Sequence, residues 1–257
     1  MRASHVTPAI VLRSRPFGES DKIVSFMTET HGKLTGIAKG AMRSRKRFVN
    51  SLEPFALINL HFLDRPHNSL AFISAADLQR PFVQITTSLN RISYASYLVE
   101  ITDGLSGERE ESPAVFRHLK DGLAHVEENG TSLRFLTYFE LKLLQLAGYQ
   151  PIFDNCKRCR KDRRAIVSHW CFSAEDGGIL CETCARSRRE VMPLSVAALE
   201  VLITLQGQNN SPTSCISLPS SAVREIRSVM LRFVQYHVDR EIKSASFLYP
   251  FSSLESS

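Results

Sequence analysis

Four cysteines in two pairs carry the clearest chemistry in the sequence. Cys156-Lys-Arg-Cys159 is followed after 21 residues by Cys181-Glu-Thr-Cys184. Each Cys-x-x-Cys knuckle can present two thiolates to one ion, and two knuckles complete the tetrahedral four-sulfur shell that Zn²⁺ prefers. The set Cys156, Cys159, Cys181 and Cys184 is therefore the expected ligand set of one structural zinc per chain. A closed shell of this kind leaves no position for a reacting water, so it holds structure and performs no chemistry. Gly177-Gly178 supplies the turn that returns the chain to the first knuckle. The rival is a Cys-x-x-Cys redox pair, which needs one knuckle beside a βαβ pattern; here there are two knuckles and no such pattern. Cys171 and His169, between the knuckles, and Cys215, in a Ser/Pro/Asn-rich stretch, are expected to be structural or bystanders.

The second chemical feature is a basic run. Between Glu29 and Glu53 there is no acid, and Lys33 to Arg47 holds six cations. Lys39, Arg43, Arg45, Lys46 and Arg47 are the candidate nucleic-acid contacts, because cations on a loop beside a small barrel can grip successive phosphates without reading sequence. A solvated loop with no partner is the alternative. Charge is uneven along the chain. Residues 1–80 carry 12 Lys/Arg against 6 Asp/Glu, residues 81–150 carry 6 against 9, and residues 151–190 carry 9 against 6. Positive charge thus gathers at the N-terminal segment and around the cysteines, which points to a polyanionic partner.

The elements that must position these residues change character near residue 80. Ala9–Leu12, Ile23–Thr28, Lys33–Ala38, Phe55–Phe62 and Leu70–Ile73 read as five short strands separated by turn signals. A five-stranded OB-type barrel is expected from them, with an SH3-like barrel as the bland alternative. Beyond it the periodicity is helical. One helix precedes Gly104, a second runs from Ser112-Pro113 to Asn129-Gly130, and a strongly apolar third spans Ser132 to Ala147. After the cysteines come Val196–Leu205 and a long helix capped by Ser220 or Ser221. The expected fold is a multidomain α+β chain, with an OB-type barrel followed by an α-helical domain holding an inserted four-cysteine zinc finger. The expected divisions are 1–80 for the barrel, 81–150 with 191–248 for the helical domain, 151–190 for the finger and 249–257 for a tail.

Composition agrees with a globular chain: 257 residues, 43% hydrophobic and 23% charged. Six cysteines are too few for a disulfide scaffold, and no apolar run reaches the ~18 residues of a membrane span. A cytoplasmic, nucleoid-associated protein is expected. No His-Glu-x-x-His, no deaminase-type His-x-Glu with Pro-Cys-x-x-Cys and no Walker-type loop occurs, so no enzyme is expected.

Several segments resemble one family. Ala9–Leu12 through Phe17-Gly-Glu-Ser-Asp-Lys-Ile-Val24 to Gly32 resembles the opening of RecO, the bacterial recombination mediator. Ile37–Arg43 is similar to that family's basic loop, and Phe139–Leu144 with Gly148–Pro151 to its central helix. Phe172-Ser173 with Gly177–Cys181 resembles its zinc segment, and Ile242–Ser244 with Phe247-Leu248 its C-terminal end. The resemblance implies a barrel followed by a helical domain with a zinc finger. It implies binding of single- and double-stranded DNA, annealing of complementary strands, and help in loading RecA onto DNA coated by single-strand-binding protein. RecR and the acidic C-terminal tail of the single-strand-binding protein are the implied protein partners, with RecA reached indirectly. No short motif marks the tail pocket. The readings outside this family are a sequence-specific regulator with a zinc ribbon and a zinc-dependent hydrolase.

Overall fold

The computed structural model describes residues 4–44, 46–64, 70–165, 169–208, 219–238 and 240–248. The chain divides into two compact units, Met1–Gly130 and Thr131–Ser257.

In the first unit, β1 (Ser4–Phe17), β2 (Asp21–Thr28), β3 (Lys33–Ala38), β4 (Leu57–Leu63) and β5 (Ala71–Arg80) close in the order β1-β2-β3-β5-β4. Alternation explains the core. Phe26, Leu34, Ile58, Leu60, Phe62 and Ile73 point inward and are fully buried. Each such side chain contributes about 2–3 kcal/mol of apolar transfer. The strand β1 serves both neighbours: Ser4–Ile10 pairs with β4, and Ala9–Phe17 pairs with β2. A bulge between Val11 and Arg13 bends it between these two tasks. Closure rests on a short parallel seam of β3 against β5, at Gly36–Ala71 and Ile37–Phe72. Phe48, Leu52 and Ala56, from the connection between β3 and β4, pack into the same core.

Two helices complete this unit, α1 (Leu89–Leu105) and α2 (Pro113–Asn129). They are tied to the strands by charge. The buried Asp103 carboxylate of α1 lies 3.3 Å from Arg13 and 3.5 Å from Lys33. Glu127 of α2 holds Arg80 at 2.7 Å. The α1–α2 connection lies along β3: Arg109 N donates to Lys33 O, and Thr35 N donates to the Glu108 carboxylate.

The second unit holds α3 (Leu133–Leu146), a sheet ordered β7-β6-β8, the short α4 (Glu182–Ala185), α5 (Val196–Gln206) and α6 (Ser220–His237). The sheet strands are β6 (Trp170–Ser173), β7 (Gly178–Leu180) and β8 (Met192–Leu194). Ser132 and Ser195 cap α3 and α5, accepting from Phe135 N and Ala198 N. A cap of this type is worth about 1 kcal/mol. The aromatic core is Phe153, Trp170, Phe172 and Phe233, with Phe172 and Phe233 edge to face at 5.2 Å. A buried ion pair, Glu140 to Arg227 at 2.7 Å, joins α3 to α6.

The mixed α+β character stands, but the class expected from the sequence is overturned by this division. There is no single helical domain after an OB-type barrel. The helices α1 and α2 belong with the strands, whereas α3, α5 and α6 belong with the cysteines. Nor is the cysteine segment a self-contained insert. Its sheet takes its third strand, β8, from beyond residue 190, and its Phe172 packs on Phe233 of α6. The helices α1 and α2 bury Tyr97, Leu98, Ile101, Phe116, Leu119 and Leu123, and the carboxylates of Asp103 and Glu127 find their cations on β1, β3 and β5. The expected tail, 249–257, lies outside the described residues, as do Cys215 and residues 166–168 of the expected strand.

Candidate nucleic-acid interface and metal centre

The basic loop follows β3 and is pinned at both ends. Gly40 takes a left-handed conformation (φ 66), which a side chain would strain, and its N–H donates to the Asp21 carboxylate at 2.8 Å. Met42 N donates to Ser20 O, so residues 40–42 rest on the β1–β2 hairpin tip. At the far end Ala76 N of β5 donates to Arg47 O. Arg47 itself braces the loop, donating from Nη2 to Lys39 O at 2.9 Å with its guanidinium 5.1 Å from the Phe48 ring.

Lys39, Arg43, Lys46 and Arg47 are exposed, and no carboxylate pairs with any of them among the described residues. Arg45 lies outside those residues. Elsewhere in the unit Arg13, Lys22, Lys33, Arg80 and Arg109 are each held by an acid, whereas Arg15 and Arg117 are exposed without one among the described residues. Loop cations without a carboxylate of their own can serve an external anion, although Arg47 also braces the loop. Phe48 is buried in the barrel and offers no stacking face. Among the described residues of this unit the exposed aromatic is Phe17, opposite Asp21 across the hairpin and hence beside the loop's anchor. Sequence reasoning missed it, because nothing local marks which end of a strand leaves the core.

The metal centre is built by the returning chain. Ile152 N donates to Gly177 O, Ile179 N to Ile152 O, and Lys157 N to Ile179 O, which lays the first knuckle beside β7. A side chain at Gly178 would place its Cβ 2.4 Å from Ile152 O, so this approach needs glycine. The four cysteine sulfurs all lie within 4.8 Å of one another, with Cys159 and Cys181 at 3.6 Å. A tetrahedral Zn²⁺ with Zn–S near 2.3 Å sets its sulfurs about 3.8 Å apart. Cys156 and Cys181 are buried, Cys184 is half-buried and Cys159 is exposed.

Their acidities are those of thiols that cannot all ionise alone. Burial pushes the Cys156 thiol up, but N–H groups of Cys159, Cys181 and Arg158 outweigh it and bring it down to about 6. Burial and hydrogen bonds from the neighbouring sulfurs push Cys184 up to about 12. A divalent cation is what lets such a set share its charge. Cys171 stands apart on β6, its thiol pushed up by burial and by Glu182, and His169 is exposed. Neither belongs to the cluster of four.

Two family models divide the sequence between them. One, described as Recombination protein O N terminal, matches residues 1–82, and the other, Recombination protein O C terminal, matches residues 86–246. The chain belongs to the RecO family. It is similar to the DNA repair protein RecO of Syntrophus aciditrophicus, at 34% identity over 249 residues and 96% of each chain. It is 32% identical to that of Myxococcus xanthus over 240 residues, 93% of this chain and 95% of the relative. It is 31% identical to that of Caldanaerobacter subterraneus over 247 residues, 96% and 98%. Membership gives this RecO-family chain a general role in recombinational DNA repair as a DNA-binding mediator and not as an enzyme. The family boundary, between residues 82 and 86, precedes α1 and α2, whereas the compact units part at Gly130. No helix among the described residues is long and apolar enough to cross a membrane.

Proposed function

We propose that this chain binds DNA through its basic loop, anneals complementary strands, and helps load RecA onto DNA coated by single-strand-binding protein, with RecR as partner. The observation that carries the DNA contact is a pinned loop whose exposed cations have no acid of their own. Lys39, Arg43, Lys46 and Arg47, with Arg45 between them, would replace condensed counterions along the sugar–phosphate chain. Phe17 would stack on a base, which is tolerant of sequence. Binding energy does all the work. Annealing needs two strands close together with their repulsion reduced, and base pairing supplies the rest.

The four cysteines would hold Zn²⁺. The ion would supply cross-linking of the two knuckles and no reactive position, since the sulfurs fill its shell. Substituting Lys39, Arg43 and Lys46 by Ala should lower the salt slope for single strands by about 2, from ~0.7 per phosphate contact. Strand annealing should slow with it. A variant with the parent's slope and annealing rate rejects the loop.

We assign the tail of the single-strand-binding protein to a cleft in the second unit. A cavity of about 240 Å³ between α3, α5 and α6 is lined by Leu133, Val201, Leu205, Val223 and Ile226, with Arg134 and Arg227 beside them and with Glu200, which is bonded to Arg163. Among the described residues Arg134 Nε is buried without a hydrogen-bond partner. An acidic tail with an apolar end would satisfy both features. Arg134→Ala should weaken binding of a labelled tail peptide about tenfold, ~1.4 kcal/mol. Unchanged polarisation curves would place the tail elsewhere.

A further inference from the structure

The cysteine unit carries more positive charge than its own acids use. Arg163, Arg186, Arg188 and Arg232 are each held by a carboxylate, from Glu200, Glu182, Glu175 with Asp176, and Glu190. Among the described residues, Lys157, Arg158, Arg160, Lys161, Arg164 and Arg189 have none in ion-pair contact, and all but Lys157 are exposed. The backbone gathers them. Arg160 N donates to Cys156 O and Cys156 N to Lys161 O, so residues 157–161 form one tight turn with four cationic side chains. Arg158 donates from Nη1 to Ser187 Oγ at 2.6 Å, stitching this turn to the stretch that carries Arg186 and Arg189. Four thiolates around a divalent ion would leave two negative charges, and Asp154 and Asp162 add two exposed carboxylates to the same segment, so the six cations remain in excess by two.

The edge also leads to an aromatic. Arg189 lines a groove of about 620 Å³ together with Met192 and Tyr236, and Tyr236 is 49% exposed. The acids of this groove, Glu175 and Glu190, are already bonded to Arg188 and Arg232. Cations along an edge with a half-exposed aromatic ring beside them are the two parts of a single-strand platform, and Tyr236 is edge to face with His237.

We infer that this edge is a second nucleic-acid contact, taking the sugar–phosphate backbone of a strand other than the one on the 39–47 loop. It rests on the proposed reading of that loop, and it gives one chain a grip on both strands to be annealed. An acidic protein segment is the rival occupant.

The test uses the zinc-loaded full chain and two non-complementary oligothymidylates carrying donor and acceptor dyes. Lys161→Gln, Arg164→Gln and Arg189→Gln are combined in one variant, with zinc content and melting temperature as folding checks. The parent should bring the dyes together at one chain per two strands. The triple variant should bind the first strand within about twofold of the parent while its affinity for the second falls at least tenfold. Tyr236→Ala, which leaves the knuckles untouched, should weaken the second strand about threefold and decides the matter if the triple variant loses its zinc. Second-strand binding unchanged in the triple variant, or in Tyr236→Ala when that variant must decide, overturns the inference. So does a polyglutamate peptide that occupies the edge in preference to the second strand. The Lys39/Arg43/Lys46 variant separates the two claims: first-strand affinity unchanged there rejects the loop and leaves the knuckle result to be read by itself.

Discussion

Glu140 is fully buried on α3 and meets Arg227 of α6 at 2.7 Å, with both side chains almost wholly out of water. Two charges removed from solvent lose several kcal/mol of hydration each, which their attraction repays only while both are present. Glu140→Gln should therefore destabilise the second unit by about 3–5 kcal/mol. Urea titration with a probe in that unit would measure it, and a loss under about 1 kcal/mol would mean the pair is solvated. Replacing both partners by apolar residues of similar volume should cost far less. Arg227 also lines the cleft with Arg134, so the double replacement reports at the same time on peptide binding.

At the scale of elements, three histidines sit where folding makes protonation harder. His31, in the β2–β3 turn, is lowered from 6.5 by burial and by His5; His125 on α2 is lowered by burial. His237 on α6 is lowered by burial, stacked on Tyr149 at 4.2 Å and edge to face with Phe233. A group whose folded pKa lies below its unfolded value gives stability that is complete above the unfolded pKa. That stability is lost as the pH falls beneath it, because the unfolded chain binds the proton more readily. Melting temperature should hold from about pH 8 to about 7 and fall between roughly 6.5 and 5. Thiolate protonation with metal loss acts in the same direction, so His237→Phe is the control. Scans at about pH 7.5 and about pH 5.5 should differ less for that variant than for the parent. Equal differences would show that His237 takes up its proton alike in both states, so that folding does not lower its pKa. A further loss near pH ~4 is expected from Asp176, which hydrogen bonds from Arg188 and Ser173 hold below its usual range despite burial.

For the whole molecule, the two compact units have different supports. The first is closed by strand pairing, and the second depends on four sulfurs that crowd to within 4.8 Å. Removing the metal should therefore act on one unit only. A chelator, or Cys181→Ser, should lower the melting transition of Thr131–Ser257 and leave that of Met1–Gly130 in place. Calorimetry would resolve the two, and a single transition shifting as a whole would show that they unfold together. Weak binding of single strands should survive chelation, since the basic loop lies in the first unit. Freshly purified protein free of zinc would reject the metal itself.

What the sequence determined by itself was local. Turn signals placed β3 to the residue and the end of β2 at Thr28, and Ser132 and Ser195 announced helix starts that their hydroxyls do cap. Ser112 precedes α2 without a side-chain cap bond, and Ser220 lies inside α6, with Pro219 at the cap. The paired knuckles gave the four sulfurs, because two chelate loops of fixed spacing leave few other arrangements. Tertiary structure alone decided which helices go with which sheet, that Phe17 and not Phe48 stays exposed beside the loop, and that Arg158 reaches Ser187. The physical reason is range. Backbone periodicity is written within a few residues, whereas Asp103 finds Arg13 across 90 positions of sequence and Glu140 finds Arg227 across 87. A buried charge accepts whichever partner the packed chain brings to it, and no spacing rule names that partner in advance.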